Sequence, residues 1–506
     1  HWLARQNEFT RNFLDSQAFN ASRQNFVLLP DANGRWQGVL AVIGEQDDPY
    51  AVAHLPKLLP KRSYHRCADS PATLSADNFL LGWGLGAYRF EKYLAGSESP
   101  LLHSSAHSAQ AEAVLRESLR VRDLINTPTE HMGPDELEQV SREAAGEFGA
   151  AFSCISGDDL LAQNFPTIHA VGRASHRAPR LIRLDWGDAS HPHVAICGKG
   201  VCFDSGGLDI KAADGMRNMK KDMGGAAHAL ALARLVMSQR LPVRITLLIA
   251  AVENSIAGNA FRPGDVITTR QGLSVEIDNT DAEGRLVLSD ALALASELKP
   301  ELILDYATLT GAARIALGPD LPALFSNRDD LAQAYLAAGD AQGDPLWRMP
   351  LWQPYLGYLK SNIADLANSG PSRMAGCVTA ALFLQRFVAA DIAWAHVDVY
   401  SWNDSERPGK PAGGEAQGLR AAFALLQEKY DNSGLVTEMR EQVLSERNET
   451  GRIPAHPYIS KWYGAHWVLV ALAELGYPPG DRALVPLRDQ IMSWGTAGAP
   501  IRLPGL

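Results

Sequence analysis

The chain of 506 residues is 46% hydrophobic and 21% charged, with 43 glycines and 29 prolines. That composition excludes a disordered, collagenous or coiled-coil protein and leaves enough apolar surface for more than one buried core. The formal net charge of −10, with no Lys/Arg run longer than Lys61-Arg62 or Lys220-Lys221, disfavours nucleic acid and anionic membrane as partners. Cys67, Cys154, Cys197, Cys202 and Cys377 are scattered without a C-x-x-C pair, which predicts a reducing cytoplasm and no disulfide framework. The longest apolar stretches, Ile245 to Val252 and Trp467 to Ala473, fall far short of the ~20 residues that span a bilayer. The first residues present carry no apolar signal region.

In chain order, residues 1–105 read as a small α/β domain. Phe26 to Leu29 and Val39 to Ile43 predict strands around a turn at Asp31 to Gly34. Gly96 to His107, rich in Ser, Gly and Pro, is the predicted linker before a helix over Ala111 to Leu124. Residues 106–430 then alternate short apolar runs with helical stretches. Val194 to Cys197, Val243 to Val252, Leu302 to Leu309 and Ile392 to Val399 are apolar on both faces, as parallel strands covered by helices must be. Between them, Ala226 to Val236 and Leu286 to Leu298 repeat Ala and Leu at helical spacing, and Pro134 opens another helix. The prediction is an α/β catalytic domain with a mostly parallel sheet, whose ligand site lies at the carboxyl ends of the strands. Residues 431–506 form an appended segment of unassigned fold with two predicted helical stretches, Thr437 to Arg447 and Gly464 to Leu475.

Two segments carry charge where strands are expected to end. The first runs GKGVCFDSGG from Gly198 to Gly207, continues to Lys211, and reaches Met219 to Gly225 with Asp222. Taken alone, Asp204 with Lys199 and Lys211 around it reads equally as a salt-bridged loop or a metal site. The second is Asn279 to Leu286, NTDAEGRL. Asp281 and Glu283, two residues apart, point to one side of an extended segment, where their repulsion calls for a cation between them. Asp204, Asp222, Asp281 and Glu283 together match the charge of two divalent cations, the arrangement of a two-metal hydrolase. Oxygen ligands suit Mg, Mn or Zn, and a nitrogen ligand favours Zn or Mn.

These stretches, with Arg122 to Pro128, Asp305 to Gly311 and more weakly Leu81 to Tyr93, closely resemble the leucine aminopeptidase (cytosol aminopeptidase) family of dinuclear metallopeptidases. The resemblance covers roughly residues 75–430. It implies an exopeptidase that removes the first residue, leucine or another apolar one, of peptides with a free amino terminus, and a homohexameric assembly. It implies that Lys199, Asp204, Asp222, Asp281 and Glu283 hold two cations, Zn or Mn, with Lys199 bound as a neutral amine. Lys211 would polarise the scissile carbonyl and Arg285 would hold bicarbonate. Met219, Thr308 and Gly311 would line the pocket for the first side chain, and Asp222 would receive the α-amino group. The segment WAHVDVYSWNDSE departs from the small residues more usual in the family, so Tyr400 and Trp402 are expected to reshape that pocket. Alternative readings are a dinuclear hydrolase of another electrophile and, against the acidic balance, a DNA-binding regulator. His228, on an apolar helical run, and Cys197 and Cys202 are read as packed rather than reactive.

Overall fold

The computed structural model describes residues 2–67, 70, 72–94, 96, 98–104, 106–372, 374–431 and 484–496. The chain divides into two compact units, 1–427 and 428–506. In the second, the described helix is Val485–Thr496; the predicted helical stretches at 437–447 and 464–475 lie outside the described residues.

After a helix over Glu8–Ser16, the first unit forms an antiparallel hairpin, Phe26–Pro30 against Trp36–Ala41, around the expected turn. Its apolar side packs with Val52, Leu55, Leu59 and Trp83 in a small core of its own. Within the predicted linker, Leu101–His103 instead pairs in parallel with Ser63–His65, because Leu102 has an apolar neighbour in that core.

The strands of the central sheet are β1 (Ala151–Ser156), β2 (Arg180–Trp186), β3 (His193–Asp204), β4 (Arg244–Asn254), β5 (Leu302–Ala307), β6 (Ala323–Ser326), β7 (Trp347–Arg348) and β8 (Ala393–Asp398). They lie in the order β7-β6-β8-β5-β3-β4-β2-β1. β8, β5, β3 and β4 are mutually parallel, whereas β6 against β8, β2 against β4 and β1 against β2 are antiparallel. The helices that matter for the site are α1 (Ala109–Asn126), α2 (Pro134–Phe148), α3 (Gly224–Ser238), α4 (Glu283–Glu297) and α5 (Gly311–Leu317). α3 and α4 cover the parallel strands, and Leu286, Leu288, Leu292, Leu248, Ile303 and Trp394 are fully buried in the main core. Each such side chain contributes about 1.5–3 kcal/mol by leaving water.

β3 is longer than its apolar run predicts. Its pairing with β4 continues past Cys197 through Lys199↔Ala250 to Asp204↔Asn254, with an irregularity between Val201 and Phe203. Lys199 is therefore a buried strand residue rather than the start of a loop. The sequence signal was misleading because Gly198, Lys199 and Gly200 carry a strand-breaking composition, while a full-length partner strand satisfies their backbone groups.

Arg122 of α1 ties three segments together. Fully buried, it donates to Leu85 O at 3.1 Å, Gly409 O at 2.6 Å and Glu415 Oε1 at 2.9 Å. Arg122→Ala leaves the buried Glu415 carboxylate without its counter-charge and is expected to destabilise the chain by about 3–5 kcal/mol. A urea-unfolding midpoint within error of the unaltered protein would refute this.

Candidate active site

Polar residues from β3, β4, β5, α4 and the turn before α3 meet at the carboxyl ends of the parallel strands. Asp204 ends β3, and its Oδ1 accepts from Gly206 N at 2.9 Å and Asn254 Nδ2 at 2.8 Å. Gly206 and Gly207 then turn the chain with φ of 86° and 63°, values that side-chain-bearing residues adopt at a cost. That turn brings Lys211 back, so its ammonium lies 2.8 Å from Asp204 Oδ2 and also pairs with Asp281.

Asp281 and Glu283 do not share an extended segment. Asp281 sits in a turn, its N–H donating to Asn279 Oδ1 at 2.7 Å, and Glu283 is the first residue of α4. The two carboxylates converge because a helix starts between them: the turn directs one inward from outside α4 and the first helical turn directs the other. One oxygen each from Asp204, Asp281 and Glu283 lies within 4.8 Å of the others, a group able to hold a cation. Glu283 is 2% exposed, and its Oε2 has no hydrogen-bond partner among the described residues.

Asp222 stands outside that triad and is linked to it by Lys199. The Lys199 ammonium lies 2.8 Å from Asp222 Oδ2 and 3.0 Å from Glu283 Oε1, and donates to Thr308 O at 2.8 Å. Gly284 permits this approach, since a Cβ there would lie 2.7 Å from Lys199 Nζ. Asp222 Oδ1 in turn accepts from Thr308 Oγ1 at 2.8 Å. Thr308 follows β5, Met219 opens the short turn carrying Asp222, and Gly311 begins α5. Arg285, in the first turn of α4, donates from Nη1 to Asn368 O at 2.8 Å, while its Nε has no partner among the described residues.

The charges strain against one another. Burial, then the neighbouring Asp204 charge, push Glu283 up to about 8 and Asp281 up to about 6. Burial opposes charge on Lys199, but Asp222, Glu283 and Asp204 outweigh it and hold the ammonium above lysine's ordinary value. Lys199 and Lys211 lie against the carboxylates and balance their charge. Burial lowers Arg285 to about 10.

Several supporting residues went unread in the sequence. Asn254 at the end of β4 also donates to Thr280 O at 3.1 Å. Buried Asn368 donates to Asn279 O at 2.7 Å and accepts from Asp278 N at 2.8 Å, fixing the turn that carries Asp281. Asp398, at the end of β8, accepts from Leu309 N and Thr310 Oγ1, shaping the entry to α5. The rule that polar residues follow strand ends points to Asn254 and Asp398; nothing local distinguishes Asn368.

His228 is packed, as expected: fully buried, its Nδ1 against Gly224 O at 2.7 Å and its Nε2 accepting from Gln417 N at 2.8 Å. Cys197 and Cys202 are buried with thiols pushed well above their ordinary range by burial. Burial lowers the His228 ring from its ordinary 6.5, so below pH 6.5 the unfolded chain binds the proton that the folded one refuses, and stability falls as pH drops. His54 and His193 shift the same way, and His396, held up by Asp305 against its burial, shifts the other way. Replacing His228 with Gln is therefore expected to flatten the fall in thermal midpoint between pH 7 and 5 without abolishing it.

A family model described as the cytosol aminopeptidase family, catalytic domain, matches residues 120–423, and one described as the M17 aminopeptidase, N-terminal domain, matches residues 1–102. The chain is 39% identical over 383 residues to a probable cytosol aminopeptidase of Syntrophotalea carbinolica, covering 72% of this chain and 77% of that protein. It is 40% identical over 381 residues to one of Roseiflexus castenholzii, covering 71% and 78%. The crystal structure of cytosol aminopeptidase from Coxiella burnetii matches with a TM-score of 0.82 at 49% identity, covering 85% of this chain and 94% of that one. The bottromycin maturation enzyme BotP in complex with Mn matches with a TM-score of 0.75 at 32% identity, covering 82% and 96%. With acidic residues, lysines and arginine gathered at the strand ends, and with the catalytic-domain family model and relatives of 39–49% identity covering most of the chain, the chain belongs to the cytosol aminopeptidase family.

Proposed function

We propose that this protein removes the N-terminal residue, leucine or another apolar residue, from peptides with a free α-amino group, using two divalent cations. The observation that carries the reading is the convergence of Asp204, Asp281 and Glu283 within 4.8 Å, with a buried Glu283 oxygen that has no partner. A desolvated, unpaired carboxylate oxygen is costly, and a cation is what such a donor set accommodates. Lys199, Asp204, Asp222, Asp281 and Glu283 would hold the cations, Zn or Mn, Lys199 giving up its proton as they take over its role of neutralising the carboxylates. When bound, such a pair supplies Lewis acidity and an activated water.

The chain's own residues do the rest. Lys211, whose ammonium Asp204, Glu283 and Asp281 keep protonated against the cost of burial, is a donor for the oxyanion that develops on the scissile carbonyl. Asp222 accepts the α-amino group of the substrate, while Met219, Thr308 and Gly311 border its side chain. Arg285, with a free Nε, would hold bicarbonate, which supplies a proton carrier when bound. Family resemblance extends the proposal to a cytoplasmic homohexamer; among the described residues no helix is long and apolar enough to cross a membrane.

Metal analysis paired with a leucine p-nitroanilide assay tests the reading: two equivalents of Mn or Zn per active chain are expected, and full turnover in a thoroughly stripped sample refutes it. Because the α-amino group is a required contact, N-acetyl-leucine p-nitroanilide is expected to be inert. Comparable cleavage of blocked and free substrates would identify a different hydrolase.

A further inference from the structure

We propose that Asn368 is a positioning residue that holds Asp281, Glu283 and Arg285 in one frame, so that its side chain sets how tightly the cluster binds a cation, an inference that rests on the two-cation reading above. Residues 366–372, LANSGPS, carry no charge. Leu366–Ala367 pairs in parallel with Ser274–Glu276, which pairs antiparallel with Val266–Thr268, and Leu366, Val275 and Ile277 anchor this small sheet in the main core. Asn368 N adds one more ladder bond, to Glu276 O at 2.9 Å. Two residues on, Gly370 lies so close to Tyr358 O that a Cβ would not fit. The small sheet and this close contact thus fix the Asn368 backbone independently of its side chain.

That side chain is fully buried and directs all of its bonding capacity at one turn. Its Oδ1 accepts from Asp278 N at 2.8 Å and Asn279 N at 3.2 Å, and its Nδ2 donates to Asn279 O at 2.7 Å and Ala282 O at 3.3 Å. These partners bracket Asp281 and end at the residue before Glu283. Ala282 has no side chain able to cap α4, so the start of that helix takes its support from elsewhere in the chain. The Asn368 carbonyl then receives Arg285 Nη1 at 2.8 Å. Thr280, within the same turn, is tied separately to the end of β4 and the loop after β3: its N–H donates to Asp209 Oδ2 at 2.7 Å, its hydroxyl to Gly206 O at 2.6 Å, and its O accepts from Asn254 Nδ2 at 3.1 Å. The turn is held from two sides. Without the Asn368 side chain it keeps the Thr280 ties, so it pivots there rather than unfolding, and the Asp281 carboxylate loses its fixed distance from Asp204 and Glu283. Partners one layer out from metal ligands change affinity by about 10–100-fold.

Mn binding to the metal-stripped full chain, followed by electron paramagnetic resonance of the free ion, reads the cluster without any turnover. Asn368→Ala is expected to weaken binding by about 10–100-fold. Asn368→Asp, a milder change for folding, keeps the shape and the acceptor but sets a carboxylate oxygen against Asn279 O and Ala282 O, and should weaken binding by about tenfold. Asn327 serves as the control: its side chain bonds to Ile392 O and Trp394 N, both at 2.8 Å, where β8 begins and away from the site. Asn327→Ala is expected to lower the urea midpoint and leave Mn binding unchanged. With Mn saturating, Asn368→Ala should lower kcat on leucine p-nitroanilide more than it raises KM, because among the described residues its bonds reach Arg285 and the Asp281 turn and none reaches Asp222 or Thr308. Parent-like Mn affinity in both Asn368 variants overturns the proposal. So does an equal loss of affinity in Asn327→Ala, which would make Asn368 a support of the fold alone. A parent chain that binds no Mn overturns the two-cation reading, and this inference with it.

Discussion

Glu283→Gln is expected to abolish stoichiometric metal binding and lower turnover on leucine p-nitroanilide by more than ~100-fold, since even partners one layer out from a metal change affinity by about 10–100-fold. The side chain is 2% exposed at the start of α4, between the Lys199 ammonium and the Asp204 and Asp281 carboxylates. The amide keeps the shape but removes the charge that the cations balance. Asp281→Asn should act in the same direction less severely, because its side chain is 33% exposed and water can replace part of what it offers. Both variants are predicted to fold: an amide at either position escapes the burial cost and the repulsion from Asp204 that push Glu283 up to about 8 and Asp281 up to about 6. Metal content by mass spectrometry and circular dichroism, measured beside the rate, separate loss of the cation from loss of the fold. A Glu283→Gln enzyme with full metal content and near-native turnover would remove Glu283 from the ligand set.

Lys211→Ala is expected to lower kcat by roughly 10²–10³, about 2.7–4 kcal/mol of transition-state stabilisation, while metal content changes little. The reason is positional. Lys211 follows the Gly206-Gly207 turn and reaches back to Asp204 and Asp281, so it meets the cluster from the loop side, whereas Lys199 meets it from inside the sheet. With cations neutralising the carboxylates, the Lys211 ammonium would be free to face the substrate carbonyl. The same geometry predicts a second effect with the opposite dependence on metal: without cations, Lys211→Ala leaves Asp204 and Asp281 facing each other uncompensated, so the stripped variant should unfold at a lower temperature than the stripped parent, and Mn should narrow the difference. Arg285→Ala should cost less turnover than Lys211→Ala, because water substitutes in part for an anion held at its guanidinium. Equal, near-native kcat for Lys211→Ala and the parent would show that the oxyanion is stabilised elsewhere.

The chemistry was more legible than the geometry that assembles it. GKGVCFDSGG, MKKDMGG and NTDAEGRL announced charged residues where apolar runs end, and each lies at the site. The local structure inferred for them was wrong in two places. The loop reading around Lys199 fails, since β4 pairs along the whole of β3 and makes Lys199 a strand residue. The extended-segment reading of Asp281 and Glu283 fails too: one is a turn residue and the other a helix residue. Asn368, 83 residues from Arg285 along the chain and bonded to it, could not be found from spacing at all.

What the sequence determined by itself was therefore local or periodic: apolar runs long enough to be buried strands, Ala/Leu helices to cover them, the hairpin at Asp31 to Gly34, and the residue types able to balance divalent charge. These follow from side-chain hydrophobicity and backbone preference, which act over a few residues. The tertiary structure alone decided which charges face one another. Lys199 came to lie between Asp222 and Glu283, Lys211 between Asp204 and Asp281, and Tyr400 beneath Lys221 and Arg314; apart from Lys211 with Asp204, seven residues away, these contacts join residues 23 to 179 positions apart. Such pairings depend on strand order, register and the direction in which each element ends, and these are set by burying the whole sheet at once rather than by any segment's own preference.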